Sequence, residues 1–229
     1  MPSLMKWLTD NPIFATLADK EREHLAKTAI QKKYAAGEWI APYGDVWPYL
    51  FLVTAGSIQA LKESTEGRSL IVLTLKPGEL FWGTAFFEEA AVMPVLLQAQ
   101  SDSQIYLWSQ DQMVPWLWQN GRFSWELSRL MVRRMMRASA IVEDLAFKPV
   151  ASRLAGLLLD TYQDTTSEPV PRSLTLDQMA AHIGTTREMV CRLLYRFSDQ
   201  NLIHITRTEF VLNNRSGLIQ LTGQEDSHA

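Results

Sequence analysis

The 229-residue sequence predicts an α+β protein in which a strand-rich amino-terminal region, a long helix and a carboxy-terminal helix-turn-helix follow one another. Three observations lead to this prediction. Glycines separate short apolar runs before residue 110. A helical pattern then continues to Phe147 with no Gly or Pro after Gly121, and two amphipathic segments flank Gly184. These patterns divide the chain into residues 1–109, 110–147 and 148–229.

The amino-terminal region combines a short helical start with strands punctuated by Gly and Pro. Runs such as YLFLVTAG and SLIVLTLKPG are apolar, short and closed by turn residues. Regularly spaced strands of this kind predict a small antiparallel sandwich or barrel. The longest uncharged run, Val46 to Leu61, has 16 residues and contains Pro48, so it is too short and too polar for a membrane span.

The long helix carries apolar residues at alternating steps of four and three. These residues are Met131, Met135, Ala138, Val142 and Leu145. Such spacing is typical of a coiled-coil seam and predicts a dimer helix. The same spacing also fits a helix that packs against its own domain, and the spacing alone leaves both interpretations open.

The carboxy-terminal region begins at a predicted hinge formed by Phe147, Lys148 and Pro149. Proline is favoured at the first position of a helix, so Pro149 is predicted to begin the next helix. Further along, two helices each show one apolar stripe, and Gly184 lies where the chain turns between them. Thr175 with Gln178, and Thr185 with Glu188, have the spacing of capping boxes.

A β-hairpin is predicted directly after the second of these helices. Ile203 and Ile205, then Phe210 and Leu212, alternate around a short polar turn. Asn201 lies at the helix exit, where a left-handed conformation is often needed. A helix-turn-helix followed by such a hairpin is a winged helix-turn-helix, which makes double-stranded DNA the first partner to consider.

The outer face of the second helix carries the residues that would contact DNA. They are Thr185, Thr186, Arg187, Glu188, Cys191, Arg192 and Arg196, with Arg207 on the predicted wing. The simpler alternative is an ordinary helical hairpin whose Arg and Glu side chains face water. The net charge of −3 does not favour nucleic acid, but Thr185–Phe197 carries three Arg against one Glu.

Composition excludes several other classes of function. One cysteine rules out an internal disulfide, a four-cysteine zinc site and a cluster held by several thiolates. There is no nucleophile–base grouping, no metal-ligand spacing and no phosphate-binding Gly-rich loop, so neither catalytic residues nor an enzyme are expected. The start, MPSLMKWLTDNP, lacks the apolar segment of a signal peptide, so we expect a cytoplasmic protein without membrane association.

The order of these elements resembles the catabolite-activator/FNR (Crp/Fnr) family of bacterial transcription regulators. The strongest matching segment is GTTREMVCRLLYRF, and further matches are AAGEWIAPYGD, YLFLVTAGSIQAL, LKPGELFWG and VASRLAGLLL. The resemblance covers nearly the whole chain. It implies an amino-terminal β-roll (jelly roll) of the cyclic-nucleotide-binding type, a homodimer formed through the long helix, and a regulator that contacts RNA polymerase as an activator does. Activation and repression are not distinguished.

The resemblance also implies how DNA would be contacted. Arg192 would bind a guanine with two hydrogen bonds, and Glu188 would accept one from a cytosine amine. These contacts correspond to half-sites with a TGA core in a near-palindromic site. Arg187 would contact an additional guanine. Cys191 would contact a thymine methyl group, and a redox role for its thiol is the less favoured alternative.

The effector pocket departs from the pattern of family members that bind cyclic AMP. Gly83 is present, but Thr84 stands where the ribose-binding acid is expected, and Met93 and Pro94, followed by Val95, replace the phosphate-binding pair. Without a cation, a cyclic phosphate would lose its charge-assisted hydrogen bonds. This interpretation predicts a degenerate pocket, for which Trp82, Phe86 and Phe87 are candidate filling residues.

The effector itself is left open. The alternatives are no effector, an apolar small molecule, or haem held by His24, Met93 or the region around Pro2. Another alternative is a sensor or interaction module that has lost DNA recognition. Four tryptophans near the start of the long helix are expected to pack it against the β-roll: Trp108, Trp116, Trp118 and Trp125.

Overall fold

The computed structural model describes residues 3–162, 169–206 and 208–223. Its contacts divide the chain into two compact units, residues 1–62 with 72–138, and residues 63–71 with 139–229. The helices are α1 Leu4–Asp10, α2 Asp19–Thr28, α3 Gln110–Gln119, α4 Gly121–Phe147, α5 Val150–Thr161, α6 Leu176–Ile183, α7 Arg187–Asp199 and α8 Arg215–Thr222. None of the helices within these ranges is long and apolar enough to cross a membrane.

Two four-stranded antiparallel sheets form the predicted sandwich. One has the order β1-β8-β3-β6 and the other the order β2-β7-β4-β5. Their strands are β1 Ile30–Tyr34, β2 Trp39–Ala41, β3 Tyr49–Ala55, β4 Ile58–Glu63, β5 Ser69–Leu75, β6 Leu80–Trp82, β7 Leu96–Ala99 and β8 Ser103–Ser109. This is the β-roll that the sequence led us to expect, and the α+β fold is confirmed.

Strand β3 organises the first unit because both of its faces are buried. Phe51 and Val53 face the core between the two sheets. Leu50 and Leu52 face a second core, in which the helices cover the outer surface of the sheet. A strand covered on both faces is apolar throughout, which accounts for the run YLFLV. On the neighbouring strand Trp108 is fully buried, and its indole N–H donates to the carbonyl of Leu25 at 2.9 Å.

The predicted helix from Gln110 to Phe147 is interrupted at Asn120. Asn120 has a non-helical backbone and ends α3. Its side-chain oxygen then accepts a hydrogen bond from the N–H of Phe123 at 3.1 Å, so the same residue caps the start of α4. The hinge differs by one residue, because α5 begins at Val150 and the extended Pro149 precedes it.

Two of the four tryptophans do not pack as expected. Trp108 is buried and Trp116 is half-buried, but Trp118 and Trp125 are 84% and 66% exposed. The expectation that all four pack the long helix against the β-roll is therefore wrong. Trp118 follows Pro115 near the end of α3, and Trp125 lies on an outward side of α4.

Gly83 is a position where the first unit tolerates no side chain. It is buried, and its N–H donates to the carbonyl of Tyr49 at 2.9 Å. A Cβ atom at this position would overlap the backbone carbonyl of Trp47. Because backbone atoms cannot move aside as a flexible side chain does, substitution forces the two segments apart.

We expect Gly83→Ala to lower the free energy of unfolding by about 1–3 kcal/mol or more, through overpacking. Urea unfolding followed by tryptophan fluorescence measures the change. Gly121→Ala is the matched control, since no atom lies within 4 Å of its Cβ position. That control is expected to be neutral or slightly stabilising. Equal loss of stability in both variants would contradict the steric argument.

Candidate nucleic-acid interface

Helices α6 and α7 form the predicted helix-turn-helix. The capping box at the start of α6 is confirmed. The N–H of Gln178 donates to the Thr175 hydroxyl at 3.2 Å, and the N–H of Thr175 donates to the Gln178 side-chain oxygen at 2.8 Å. Gly184 ends α6 with a φ of +63°, a left-handed conformation that suits glycine.

The start of α7 differs from the prediction by one residue. Thr186 caps the helix by accepting from the N–H of Met189 at 3.2 Å. The N–H of Thr185 instead donates to the carbonyl of Ala180 at 3.0 Å, which closes the turn after α6. The predicted capping box of Thr185 with Glu188 is therefore wrong, and Glu188 is free to pair elsewhere.

The apolar sides of the two helices meet in the core of the second unit. The predicted stripe of α7 is buried, as are Met179, Ala180 and Ile183 of α6. The stripe residues of α7 are Val190, Leu193, Leu194 and Phe197. Because one side of α7 is buried, a DNA groove could be contacted only by the opposite, solvent-exposed side of this helix.

We use the name outer face for that opposite side of α7 and the turn before it. Among the predicted DNA-contacting residues, Thr186, Arg187, Glu188, Arg192 and Arg196 are exposed, and Thr185 and Cys191 are half-buried. Arg207 lies outside the described residues. The structure thus brings the predicted residues of the turn and α7 together on one surface.

Tyr195 also belongs to the outer face, and sequence reasoning missed it. Each residue advances about 100° around a helix, which places Tyr195 between Cys191 and Arg192 in projection. Its side chain is 68% exposed. The available signal was its position, since Tyr195 falls outside the stripe made by Leu194 and Phe197. Its phenol therefore lies among the exposed side chains of the outer face.

Two ion pairs determine the electrostatics of the outer face. The Arg192 Nη2 lies 2.8 Å from the Glu188 Oε1, one helical turn away on the same helix. The Arg187 Nη1 lies 3.4 Å from the Asp177 Oδ2, which belongs to α6. All four side chains are mostly exposed, so each pair stabilises the fold by only a few tenths of a kcal/mol. Both guanidinium groups keep donors that face solvent.

The wing is a three-stranded sheet rather than a simple hairpin. Strands β10 Ile203–Ile205 and β11 Glu209–Leu212 pair as predicted, and β9 Val170–Pro171 pairs with β11 on its other side. The predicted left-handed conformation of Asn201 is confirmed by its φ of +54°. Strand β9 could not be predicted from the sequence, because two residues are too few to show the alternation of a strand.

Arg153 of α5 ties three segments of the second unit together. Its Nε donates to the carbonyl of Ile183 at 2.9 Å, at the end of α6. Its Nη1 donates to the carbonyls of Lys148 at 2.7 Å and Asp144 at 3.2 Å. Burial lowers the pKa of Arg153, and the nearby Asp144 carboxylate partly offsets that effect. The end of α4, the start of α5 and the end of α6 are thereby joined.

The predicted effector-pocket residues lie in the first unit with different exposures. Gly83, Met93 and Val95 are buried, Thr84 is half-buried and Pro94 is exposed. The Thr84 hydroxyl donates to the carbonyl of Val92 at 2.9 Å, and Met93 belongs to the core between the sheets. The segment from Met93 to Val95 itself carries no cationic side chain.

The aromatic residues proposed to fill the pocket do not fill the core between the sheets. Phe86 is buried in the core under the helices, Trp82 packs against that same core, and Phe87 is 43% exposed. The core between the sheets is instead filled by Phe51, Met93 and their aliphatic neighbours, with Phe81 packed against them. The expectation that Trp82, Phe86 and Phe87 fill this interior is therefore wrong.

The haem candidates do not converge. Met93 lies in the core between the sheets, whereas His24 is exposed on α2, next to the ring of Trp116 at 5.5 Å. Leu25, which follows His24, packs into the core on the other face of the β3 sheet. Pro2 lies outside the described residues. Within the described ranges no group of three His, Cys, Asp or Glu side chains is placed to hold a metal ion.

One partly buried cation that sequence reasoning missed lies at the start of β6. Arg134 of α4 reaches the Glu79 Oε1 at 3.4 Å and the carbonyl of Leu80 at 3.5 Å. Burial lowers the pKa of Arg134, and the Glu79 carboxylate opposes that shift. The guanidinium is already paired with a carboxylate, so its charge is compensated within the protein.

The predicted seam on α4 is largely exposed. Met135 and Val142 are 66% and 65% exposed, Ala138 is exposed, and Met131 is half-buried. Leu145 is more covered, and its Cδ2 lies 2.7 Å from where a Cβ on Gly184 would be. Val132 and Met136, both exposed, extend the apolar surface on the other side of Met135.

Comparisons with known proteins agree with this architecture. Residues 152–221 match the Crp-like helix-turn-helix domain, and residues 31–118 match the cyclic nucleotide-binding domain. The cAMP-activated global transcriptional regulator Vfr of Pseudomonas aeruginosa is 27% identical over 193 residues, which cover 81% of this chain and 90% of that protein.

Solved structures share the fold at lower identity. A putative transcriptional regulator of the Crp/Fnr family from Eubacterium rectale has a TM-score of 0.76 at 19% identity, covering 93% of this chain and 98% of that one. The c-di-GMP-responsive global regulator CLP of Xanthomonas campestris has a TM-score of 0.74 at 20% identity, covering 84% and 97%.

A helix-turn-helix with an exposed polar outer face, joined to a β-roll, defines a DNA-binding transcription regulator. The matches to both of its domains are ordered along the chain as the sequence predicted. The chain belongs to the Crp/Fnr family.

Proposed function

We propose that this protein is a homodimeric, sequence-specific regulator that binds a near-palindromic site with TGA-containing half-sites. The observation that carries the proposal is the pairing of Arg192 with Glu188 at 2.8 Å on the exposed outer face of α7. A guanidinium that binds guanine and a carboxylate that accepts from cytosine N4 suit neighbouring base pairs in the major groove. Both groups already lie side by side.

The remaining outer-face residues extend this recognition. Arg187 begins α7 and is exposed, so it is placed to contact an additional guanine at the outer end of the core. The half-buried Cys191 has the size and polarity to contact a thymine methyl group. Arg196 lies at the edge of the face, with its guanidinium 5.9 Å from the ring centre of Phe197, and suits a phosphate. Arg207 stays a predicted contact.

The exposed seam supports a homodimer. Large apolar side chains that face solvent along one helix are unfavourable unless a partner covers them. A second copy of α4 offers the same surface and would bury Met131, Met135, Ala138 and Val142. Because Leu145 packs beside Gly184, we assign it a smaller part in the interface than its spacing suggests. Two protomers would place their α7 helices in successive major grooves, about 34 Å apart.

The arrangement around Thr84 and Met93 supports a pocket that does not bind cyclic nucleotides in the usual mode. The family's ribose and phosphate contacts require an acid and a cation. Gly83 leaves no room for a side chain, and the Thr84 hydroxyl is hydrogen-bonded to the backbone. Met93 points into the core and Pro94 has no N–H to donate. A cyclic phosphate therefore meets no charge-assisted donor from this segment.

The same core supports action without a ligand. The space between the sheets is occupied by the protein's own buried side chains, so this core needs no added molecule to complete it. An effector can shift a regulator only by binding one of its conformations better than another. The proposed protein therefore binds DNA in its ligand-free form. A contact with RNA polymerase, expected of an activator, stays a prediction.

We expect Arg192→Ala to lose discrimination at the guanine of the core by about 1–3 kcal/mol, because the bidentate contact is lost. Sequencing after selection from a randomised duplex library, with purified ligand-free protein, measures the preference at each position. Arg196→Ala is the matched control and is expected to weaken all sequences alike. Unchanged preference in Arg192→Ala would show that α7 does not contact the bases as proposed.

We expect Met135→Asp combined with Val142→Asp to give a monomer, because two carboxylates would be buried in the seam without partners. Light scattering after gel filtration measures the mass. Ala140→Asp places one carboxylate on an exposed position of the same helix, away from the seam, and should leave a dimer. A monomeric wild-type protein would contradict the proposed assembly.

We expect 1 mM cyclic AMP to leave the melting temperature unchanged. A ligand present at a hundred times its Kd would add about 2.7 kcal/mol of stability. For a chain of this size that corresponds to a rise of about 5–10 °C. The cAMP-activated regulator Vfr is the positive control. A rise of several degrees in this protein would mean that the pocket accepts the nucleotide after all.

A further inference from the structure

Asp177 lies outside the outer face but touches one of its members. It is the second residue of α6, and its Oδ2 lies 3.4 Å from the Nη1 of Arg187 at the start of α7. The two side chains are 69% and 66% exposed. An acid in the first turn stabilises a helix by itself, but that role does not require the side chain to reach a second helix.

The surroundings of this pair point toward DNA. A groove of about 420 Å³ opens beside it, and its lining includes Arg172 and Thr175 as well as Asp177 and Arg187. Arg172 is held by hydrogen bonds of its Nε to the carbonyl of Leu174 at 3.1 Å and of its N–H to the carbonyl of Thr208 at 2.8 Å. Asp177 is therefore a carboxylate among groups that would otherwise attract phosphate.

We propose that Asp177 is a specificity-determining residue that positions Arg187 for its base contact, and the proposal rests on the function proposed above. The ion pair with Asp177 restricts the rotamers of the Arg187 side chain in the DNA-free protein. Less side-chain entropy is then lost when the guanidinium binds a guanine. The planar fork keeps its other N–H donors for the base.

The same carboxylate is also expected to lower the affinity for DNA of any sequence. A negative charge at the DNA-facing surface repels phosphates of any sequence and lowers the number of counterions released on binding. Asp177 therefore weakens binding to all duplexes while sharpening the choice among them. Glu188 differs in this respect, because it lies on α7 itself and is proposed to contact a base directly.

The test compares Asp177→Asn with the wild-type protein on three duplexes. These are the duplex enriched by selection, the same duplex with its outer guanine–cytosine pair replaced, and an unrelated duplex. Fluorescence anisotropy gives Kd at several salt concentrations. We expect all three to be bound more tightly, with the slope of log K against log salt steeper by about 1. Discrimination at the outer pair should fall about two- to fivefold, as the loss of one exposed ion pair implies.

Two further variants separate positioning from charge. Asp199→Asn removes the same charge from the far end of α7, where it does not contact Arg187, and should leave discrimination at the outer pair unchanged. Arg187→Ala should abolish that discrimination. In the Arg187→Ala background, Asp177→Asn should then change affinity but no longer change discrimination, which a double-mutant cycle measures.

The outcomes distinguish this inference from the function on which it rests. A defined site with unchanged outer-pair discrimination in Asp177→Asn would overturn the positioning role alone and leave a simple repulsive charge. Discrimination that changes equally with and without Arg187 would overturn it as well. A wild-type protein that enriches no site would overturn the proposed function and this inference together.

Discussion

The three carbonyls bound by Arg153 are the constraint on which the DNA-binding unit depends. One guanidinium satisfies backbone acceptors at the ends of α4 and α6 and at the junction before α5. Ile183 ends α6, where carbonyls lack partners inside the helix, and the Arg153 Nε supplies one. The Asp144 carbonyl accepts from the N–H of Lys148 as well as from Arg153. Because the hydrogen bonds cross the junction at Lys148, a pivot between α4 and α5 would have to break them. The helix-turn-helix therefore cannot rotate about this junction without breaking the hydrogen bond to the last turn of α4. The hydrogen bond to the carbonyl of Ile183 joins Arg153 to the residue directly before Gly184 and the turn to α7.

Much of the helix-turn-helix could be predicted from sequence because its signals are local. The spacing of apolar residues correctly predicted the buried sides of α6 and α7. The capping box of Thr175 with Gln178 correctly predicted the start of α6. The second start was misplaced because Thr185 and Thr186 are adjacent and chemically alike, and only the turn geometry selects Thr186 as the cap. Arg153, Asp177 and Tyr195 were missed for a different reason. Arg153 and Asp177 make contacts between different helices, and Tyr195 lies on the side of α7 that stays uncovered. Neither property appears as a periodic pattern.

The β-roll illustrates the same limit in the core. The apolar run of β3 predicted a buried strand, but not that its two faces belong to two different cores. Trp82, Phe86 and Phe87 were expected to fill the interior because they are large and adjacent. Their strand and the turn after it direct them elsewhere, and Phe51 and Met93 fill the space instead. Asn120 shows how one polar side chain can divide a helix without Gly or Pro at that position, by offering its own oxygen to the N–H of Phe123.

Cys191 gives the outer face a property that is independent of which bases it contacts. It is the only cysteine in the sequence, and it lies half-buried between Arg187 and Arg192. A thiol-specific dye or spin label would therefore attach at one position, without mutagenesis, on the outer face of α7. Alkylation of the thiol should slow when a duplex covers it. The rate of Cys191 alkylation would thus report whether a duplex covers the outer face.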